Sequence, residues 1–109
     1  MATTYKVLGQ INPTGNTLTQ LYVVPSATST VLSTVAVCNQ SNVATSFRLA
    51  IQPANAAIAA KHYINYDTAL PPNDTITLTL GLTLAASDVI SANVATSTVS
   101  VSAFGGEIS

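Results

Sequence analysis

Few residues of this chain could take part in catalysis. His62 is the only histidine, Cys38 is the only cysteine, and the acids are Asp67, Asp74, Asp88 and Glu107. Nucleophilic catalysis needs a Ser, Cys or Thr beside a base that a third group orients. Asp67 follows His62 by five residues, and in a strand this odd spacing places the two side chains on opposite faces. We therefore predict no catalytic residue and no enzymatic activity, with His62 as a partly exposed strand residue.

The chain also has few residues that could bind a metal ion or a cofactor. Zinc sites use about three or four Cys, His or acidic ligands, and calcium sites use clustered carboxylates. The five glycines do not form a phosphate-binding pattern. We predict no metal and no cofactor, with a zinc site on a symmetry axis, one His62 from each subunit, as the alternative. Asp74 and Asp88 border turns and are predicted to cap them, and Cys38 is predicted to be a buried, inert thiol.

Charged residues make up only 6% of the chain, and the net charge is −1, whereas about 25% is typical of soluble domains. The only bases are Lys6, Arg48 and Lys61, too few and too scattered to bind phosphates or an anionic membrane surface. Apolar runs stay well below the roughly 20 residues of a membrane-spanning helix, and the first residues lack a signal-peptide core. We predict no nucleic-acid or membrane partner and synthesis in the cytoplasm.

Alternating hydrophobic residues predict strands. Between residues 75 and 84, one isoleucine and four leucines occupy every second position, a spacing that a helix would scatter around its circumference. Gly81 within this run predicts a bulge or a bend that divides it. Residues 55–61 are predicted to form a connection with a helical turn. Similar runs, separated by turn residues, cover residues 5–9, 19–24, 30–38, 45–52, 62–68, 89–94 and 98–104.

About eight short strands predict one all-β domain over residues 1–109. Its expected architecture is an antiparallel β-sandwich or a jelly-roll-like barrel, with residues 1–4 and 105–109 as extensions. Residues 35–38 are apolar at consecutive positions, so this strand is apolar on both faces. Either a loop covers its outer side or a subunit interface does, and the low charge favours a homo-oligomer. Tyr63 and Tyr66 are three residues apart, and in a regular strand this odd spacing places their side chains on opposite faces. We therefore predict that both rings pack within the protein and do not form a shared surface for binding a sugar.

Six segments carry a resemblance to a known group of proteins. They are residues 5–10 (YKVLGQ), 21–25 (LYVVP), 35–39 (VAVCN), 47–50 (FRLA), 61–64 (KHYI) and 82–90 (LTLAASDVI). In their order and spacing, the chain resembles small structural proteins of tailed bacteriophages, including cyanophage-type phages. The resemblance spans nearly all of the chain and brings no catalytic residues with it.

The resemblance implies a virion protein, most simply a capsid decoration (cement) protein. Such proteins are small, β-rich and often trimeric, so the expected partners are further copies of the chain, in a trimer, and the major capsid protein. The protein would lie on the outer capsid surface and bridge neighbouring capsid subunits. Candidate contact residues are Tyr5, Lys6, Phe104 and Ile108 in terminal arms, together with Arg48 and Lys61, which either pair with acidic groups of the shell or are solvated strand-edge residues.

Two other classes of function are kept as alternatives. A phage tail, baseplate or fibre module would bind a host surface glycan in a shallow groove with exposed Tyr22, Tyr63 or Tyr66. A cytoplasmic enzyme or ligand-binding barrel would have an internal pocket lined by His62 and a carboxylate.

Overall fold

The computed structural model describes residues 2–109 and contains eight β-strands. Two short 3-10 turns, Pro53–Asn55 and Ala60–His62, lie in the connection between the fourth and fifth strands, where the sequence predicted a helical turn. The strands are β1 (Thr3–Ile11), β2 (Thr19–Val23), β3 (Ser29–Asn39), β4 (Thr45–Gln52), β5 (Tyr63–Leu70), β6 (Thr75–Leu84), β7 (Val89–Val94) and β8 (Val99–Ile108).

The strands form two antiparallel sheets that pack as a sandwich, which confirms the predicted fold class. The first sheet has the order β1-β8-β3-β6 and the second has the order β2-β7-β4-β5. Four strand pairs are nested along the chain: β1 with β8, β2 with β7, β3 with β6, and β4 with β5. This is the arrangement of a jelly roll, in which a long hairpin folds over on itself.

The core lies between the inner faces of the two sheets. Leu32, Val35 and Val37 from β3 are fully buried and pack with Leu49 of β4 and Val101 of β8. The alternating hydrophobic row of β6 faces this core as predicted. Its members before Leu84 are only half-buried, because β6 is an edge strand with a neighbour on one side.

The predicted irregularity at Gly81 is a β-bulge. Leu32 pairs with Leu82 but Thr34 pairs with Thr79, so two residues of β6 lie opposite Ser33 alone. Gly81 has a φ of +63°, in the left-handed region that glycine adopts without strain. The strand stays continuous through the bulge instead of dividing into two.

The predicted extensions at the chain ends are instead part of the first sheet. Ala2 and Ser109 exchange backbone hydrogen bonds of 2.8 and 2.9 Å, and residues 105–108 of β8 pair with β1 on one side and β3 on the other. The correction applies to residues 2–4 and 105–109, whereas residue 1 lies outside the described residues. The absence of a side chain lets β8 approach the Val31 carbonyl oxygen of β3 at Gly105 and leaves room for the Tyr5 ring at Gly106.

None of the helical segments within residues 2–109 has the length and apolar character that crossing a membrane requires.

Candidate functional site

Within residues 2–109, the outward strand positions of the first sheet carry no charged side chain, and Lys6 borders this surface at one end, where Glu107 pairs its charge. Because side chains alternate along a strand, the residues between the core positions of β3 and β8 point outward, and the register aligns them with outward residues of β1 and β6. We call this surface the uncharged face. It is formed by Tyr5, Val7, Gln10, Val31, Thr34, Ala36, Cys38, Thr75, Thr77, Thr79, Ser100, Ser102 and Phe104.

An apolar groove of about 490 Å³ lies at one end of the uncharged face. Its lining includes Tyr5, Val7, Val31 and Phe104. The Tyr5 ring packs beside Gly106, where an added Cβ would lie 3.0 Å from the ring, yet Tyr5 remains 84% exposed. A large aromatic side chain therefore lies over the backbone of Gly106 while most of its surface faces solvent.

Four predicted contact residues meet around this groove. Tyr5, Lys6 and Phe104 line it, and Ile108 continues the same face, opposite Thr3 of β1. The structure therefore places these four in paired strands and not in the terminal arms that the sequence suggested.

Residues 35–38 of β3 are apolar on both faces, and the sequence left open whether a loop or a subunit interface covers the outer one. Ala36 and Cys38 are half-buried, not fully covered, although β3 is a central strand. No loop within residues 2–109 removes them from solvent, so the prediction that Cys38 is buried is wrong. Its side chain points away from the core, because Val35 and Val37 occupy the inward positions.

Lys6, Glu107 and Tyr22 form a polar cluster that joins the two sheets. The Lys6 ammonium lies 2.9 Å from Glu107 Oε1, and the Tyr22 hydroxyl donates to Glu107 Oε2 at 2.5 Å. The same hydroxyl lies 2.8 Å from Thr30 Oγ1. Burial, followed by the hydrogen bond to Glu107, raises the pKa of Tyr22 to about 12. The hydrogen bonds from Tyr22 and then Lys6 lower the pKa of Glu107, so Tyr22 belongs to the interior and not to an exposed groove.

Arg48 lies on the outer side of the second sheet, where its charge is paired within the chain. Its guanidinium donates from Nε to Asp67 Oδ1 at 2.7 Å and from Nη2 to Oδ2 at 3.2 Å. The pKa of Asp67 is lowered mainly by this hydrogen bonding. The guanidinium carbon also lies 4.0 Å from the centre of the Tyr66 ring, within the range of a cation–π contact.

Tyr63 and Tyr66 are neighbours, so the interpretation that placed them on opposite faces is wrong. Their ring centres are 5.1 Å apart and the rings are nearly perpendicular. Irregular pairing of β5 with β4 explains why the prediction failed. Phe47 pairs with Thr68 and Leu49 with Asn65, so two residues of β4 are matched by three of β5. Asp67 has a φ of +50° within this irregular stretch. Such a bulge breaks the period of two on which the interpretation depended.

A polar concavity of about 230 Å³ lies beside the Arg48–Asp67 pair. It is lined by Asn16, Ser46, Phe47, Arg48, Asp67, Asn93 and Ala95. The register places Asn93 of β7 directly opposite Arg48 of β4. The loop that carries Asn16 is held by a hydrogen bond of 2.7 Å from its backbone N–H to the Val94 carbonyl.

The sequence indicated only part of this concavity. Alternation along β4 placed Ser46 and Arg48 on one face, and both line the concavity. Asn16 and Asn93 are separated by most of the chain and meet because the β1–β2 loop is held against the end of β7, the strand with which β2 pairs. No local signal in the sequence could have joined them.

Lys61 and His62 lie apart from both surfaces. His62 is buried and its Nδ1 accepts a hydrogen bond of 3.0 Å from the Ala59 N–H, so the prediction of a partly exposed strand histidine is wrong. Their surface depression is lined by Ile51, Pro53, Ala56, Lys61, His62 and Ile64. No carboxylate is among these lining residues, unlike the pocket that the enzyme alternative requires.

The turn-capping prediction for Asp74 and Asp88 is confirmed. Asp74 Oδ1 accepts from the Thr75 N–H at 2.8 Å. Asp88 accepts from the Ala85 N–H and the Ala54 N–H, each at 2.9 Å, and so fixes the β6–β7 turn to the first 3-10 turn. In the part of the chain that the structure describes, no three His, Cys or acidic side chains group together as metal ligands would.

Comparison of the chain with protein-family models, with curated proteins and with solved structures gave no match.

Proposed function

We propose that the protein is a capsid decoration (cement) protein of a tailed bacteriophage. It binds the outer surface of the capsid shell in the virion, as a homotrimer, and bridges neighbouring major capsid subunits. The observation that carries the proposal is the uncharged face, a four-stranded surface with an apolar groove at one end. The six segments that resemble small phage structural proteins suggest the shell as the partner.

The composition of the uncharged face suits burial against another protein. Charged residues are depleted at the centres of protein interfaces, because a buried charge without a partner is costly. The face presents Ser and Thr hydroxyls that can hydrogen-bond to a neighbouring surface, and the charge that borders its groove, Lys6, is already paired with Glu107. The open outer side of β3, where Ala36 and Cys38 keep partial exposure, is the part that such a partner would cover.

The apolar groove supplies an anchor for this contact. Tyrosines in well-packed interface pockets are among the residues that contribute most to binding. Tyr5 is exposed and lies beside Gly106, and a tyrosine offers a large contact area with only two side-chain torsions to order on a partner. Covering the groove is favourable by roughly 25 cal/mol per Å² of apolar area before association costs.

Sedimentation with empty mature shells that lack this protein tests the proposal. The wild-type chain is expected to sediment with the shells and to be present in many copies per virion. Val7→Lys, on the uncharged face, is expected to weaken this binding at least tenfold, since it places a charge in the contact. Cryo-electron microscopy of the decorated shell gives the location and the symmetry of the bound copies.

Val23→Lys is the matched control. Val23 lies on β2 in the second sheet and is 45% exposed, close to the 49% of Val7, and its variant is expected to bind shells as the wild type does. Equal binding by both variants, or a copy number of only a few per particle with density in the tail, contradicts the decoration proposal. The second result favours a tail module.

A further inference from the structure

We propose that the polar concavity on the second sheet binds one unit of a neutral saccharide. This surface lies on the opposite sheet from the uncharged face, so the inference does not depend on capsid binding. The argument rests on the unpaired polar groups of the concavity, its balance of charge and the tyrosine ring that contacts its arginine.

Three side chains that line the concavity have free hydrogen-bonding groups. The amides of Asn16 and Asn93 and the hydroxyl of Ser46 make no hydrogen bond to another protein group within residues 2–109. An amide offers both donors and an acceptor, and a hydroxyl offers one of each kind. Vicinal sugar hydroxyls need this mixture, because each hydroxyl donates one hydrogen bond and accepts others.

The charge of the concavity selects against ionic ligands. Arg48 and Asp67 neutralise each other through two hydrogen bonds, so neither an anion nor a cation gains from a net field. Both groups still have capacity left, since each carboxylate oxygen has a further lone pair and the guanidinium has further N–H donors. Held in place by each other, they can contact a neutral polar ligand with little further loss of side-chain freedom.

Tyr66 does not line the concavity, but its ring contacts Arg48, which does. Tyr66 is 59% exposed as a residue, the Arg48 guanidinium covers one face of its ring, and the Tyr63 ring packs nearby. A pyranose ring presents C–H groups on one side and hydroxyls at its edge, which matches an aromatic ring beside polar side chains. The bulge at Asp67 brings Asp67 and Tyr66 together around Arg48, and bulges are a common means of redirecting side chains at binding sites.

The size of the concavity limits the ligand. At about 230 Å³ it is smaller than the roughly 300–1,000 Å³ of pockets that enclose drug-sized molecules. A single saccharide unit at the end of a glycan, or one unit within it, is therefore the expected occupant, held weakly by itself.

Titration by NMR with the methyl glycosides of glucose, galactose, mannose and N-acetylglucosamine tests this inference. At least one of these is expected to shift the side-chain amide signals of Asn16 and Asn93 together, in a saturable way. Asn93→Ala and Asn16→Gly are expected to weaken binding about tenfold, as the loss of one or two hydrogen bonds would. Glycine is used at position 16 because Asn16 has a φ of +60°.

Asn42→Ala is the matched control, because Asn42 is an exposed loop amide outside the concavity. Its variant is expected to bind the glycoside as the wild type does. If no glycoside of the panel shifts the two amide signals, or if Asn93→Ala binds as tightly as Asn42→Ala, the inference is wrong. Shell binding by the same wild-type sample is measured separately, so either proposal can fail without the other.

Discussion

At the scale of single residues, Tyr22 joins the two sheets through one hydroxyl group. The ring belongs to the core cluster, and its oxygen contacts Glu107 of β8 and Thr30 of β3. Glu107 is in turn held by Lys6 of β1. One hydroxyl group therefore connects the second sheet to two strands of the first, and its removal affects a largely buried carboxylate.

Tyr22→Phe is expected to lower the free energy of unfolding by about 1–3 kcal/mol at neutral pH, the usual cost of leaving buried hydrogen-bonding groups without a partner. Urea denaturation measures this change. Tyr5→Phe is the control, since the Tyr5 side chain is largely exposed, and it is expected to change stability by less than about 0.5 kcal/mol. Equal effects of the two substitutions would contradict the role given to Tyr22.

The same hydroxyl predicts a loss of stability at alkaline pH. In the unfolded chain the pKa of tyrosine is about 10, whereas in the folded chain that of Tyr22 is about 12. The folded state therefore favours the protonated form, and this contribution is fully present below about pH 10 and lost as the pH rises through about 12. Tyr22→Phe lacks the group, so the stability difference between wild type and variant is expected to shrink over this interval. A constant difference would disagree with the raised pKa.

At the scale of elements, the alternation of hydrophobic and polar residues predicted the strands well wherever strand pairing is regular. β4 and β6 have the bounds that the sequence indicated, because one face of each strand packs on the core and the hydrophobic pattern records this directly. β5 was less predictable, since its bulge depends on pairing with β4 and has no hydrophobic signature of its own. The relation between Tyr63 and Tyr66 was misjudged for this reason, although all the residues involved are close in sequence.

Two glycines in the first sheet have different structural roles, and replacing each with alanine is expected to lower stability by different amounts. At Gly105 an added Cβ would lie 2.0 Å from the Val31 carbonyl oxygen, whereas at Gly81 it would meet nothing within 4 Å and only the φ of +63° opposes it. Gly81→Ala is expected to cost about 1–2 kcal/mol. Gly105→Ala is expected to cost clearly more, because β3 and β8 would have to separate in the middle of the sheet.

Urea denaturation of the two alanine variants measures this difference. Gly81→Asn is a third variant, expected to be more stable than Gly81→Ala because asparagine adopts left-handed backbone conformations more readily. A Gly105→Ala protein as stable as Gly81→Ala would show that the close approach of β8 to β3 is not required.

At the scale of the whole molecule, the nested strand pairs explain which features the sequence could not provide. The composition and the turn spacing sufficed for an all-β sandwich, but the assignment of strands to sheets depends on contacts between distant segments. β1 and β8, at opposite ends of the chain, are neighbours in one sheet, and the polar concavity collects residues from the β1–β2 loop, β4, β5 and β7. The same topology gives the sandwich two unlike outer sides: in the described residues, one has no charged side chain at its outward strand positions and the other has a paired arginine and acid.

The position of β8 leads to a prediction about the C-terminal residues. Residues 105–108 pair with both β1 and β3, and Glu107 holds Tyr22 and Lys6. Removal of residues 105–109 is therefore expected to abolish cooperative folding, since it would open the centre of the first sheet and expose unpaired backbone groups on both neighbours. Circular dichroism during thermal and urea denaturation measures this loss.

Removal of Ser109 alone is the control and is expected to keep a cooperative transition, because it deletes only the last pair of backbone hydrogen bonds. A shortened chain with the wild-type unfolding midpoint would restore the interpretation of these residues as an extension, and the apolar groove would then need another support for its Tyr5 ring.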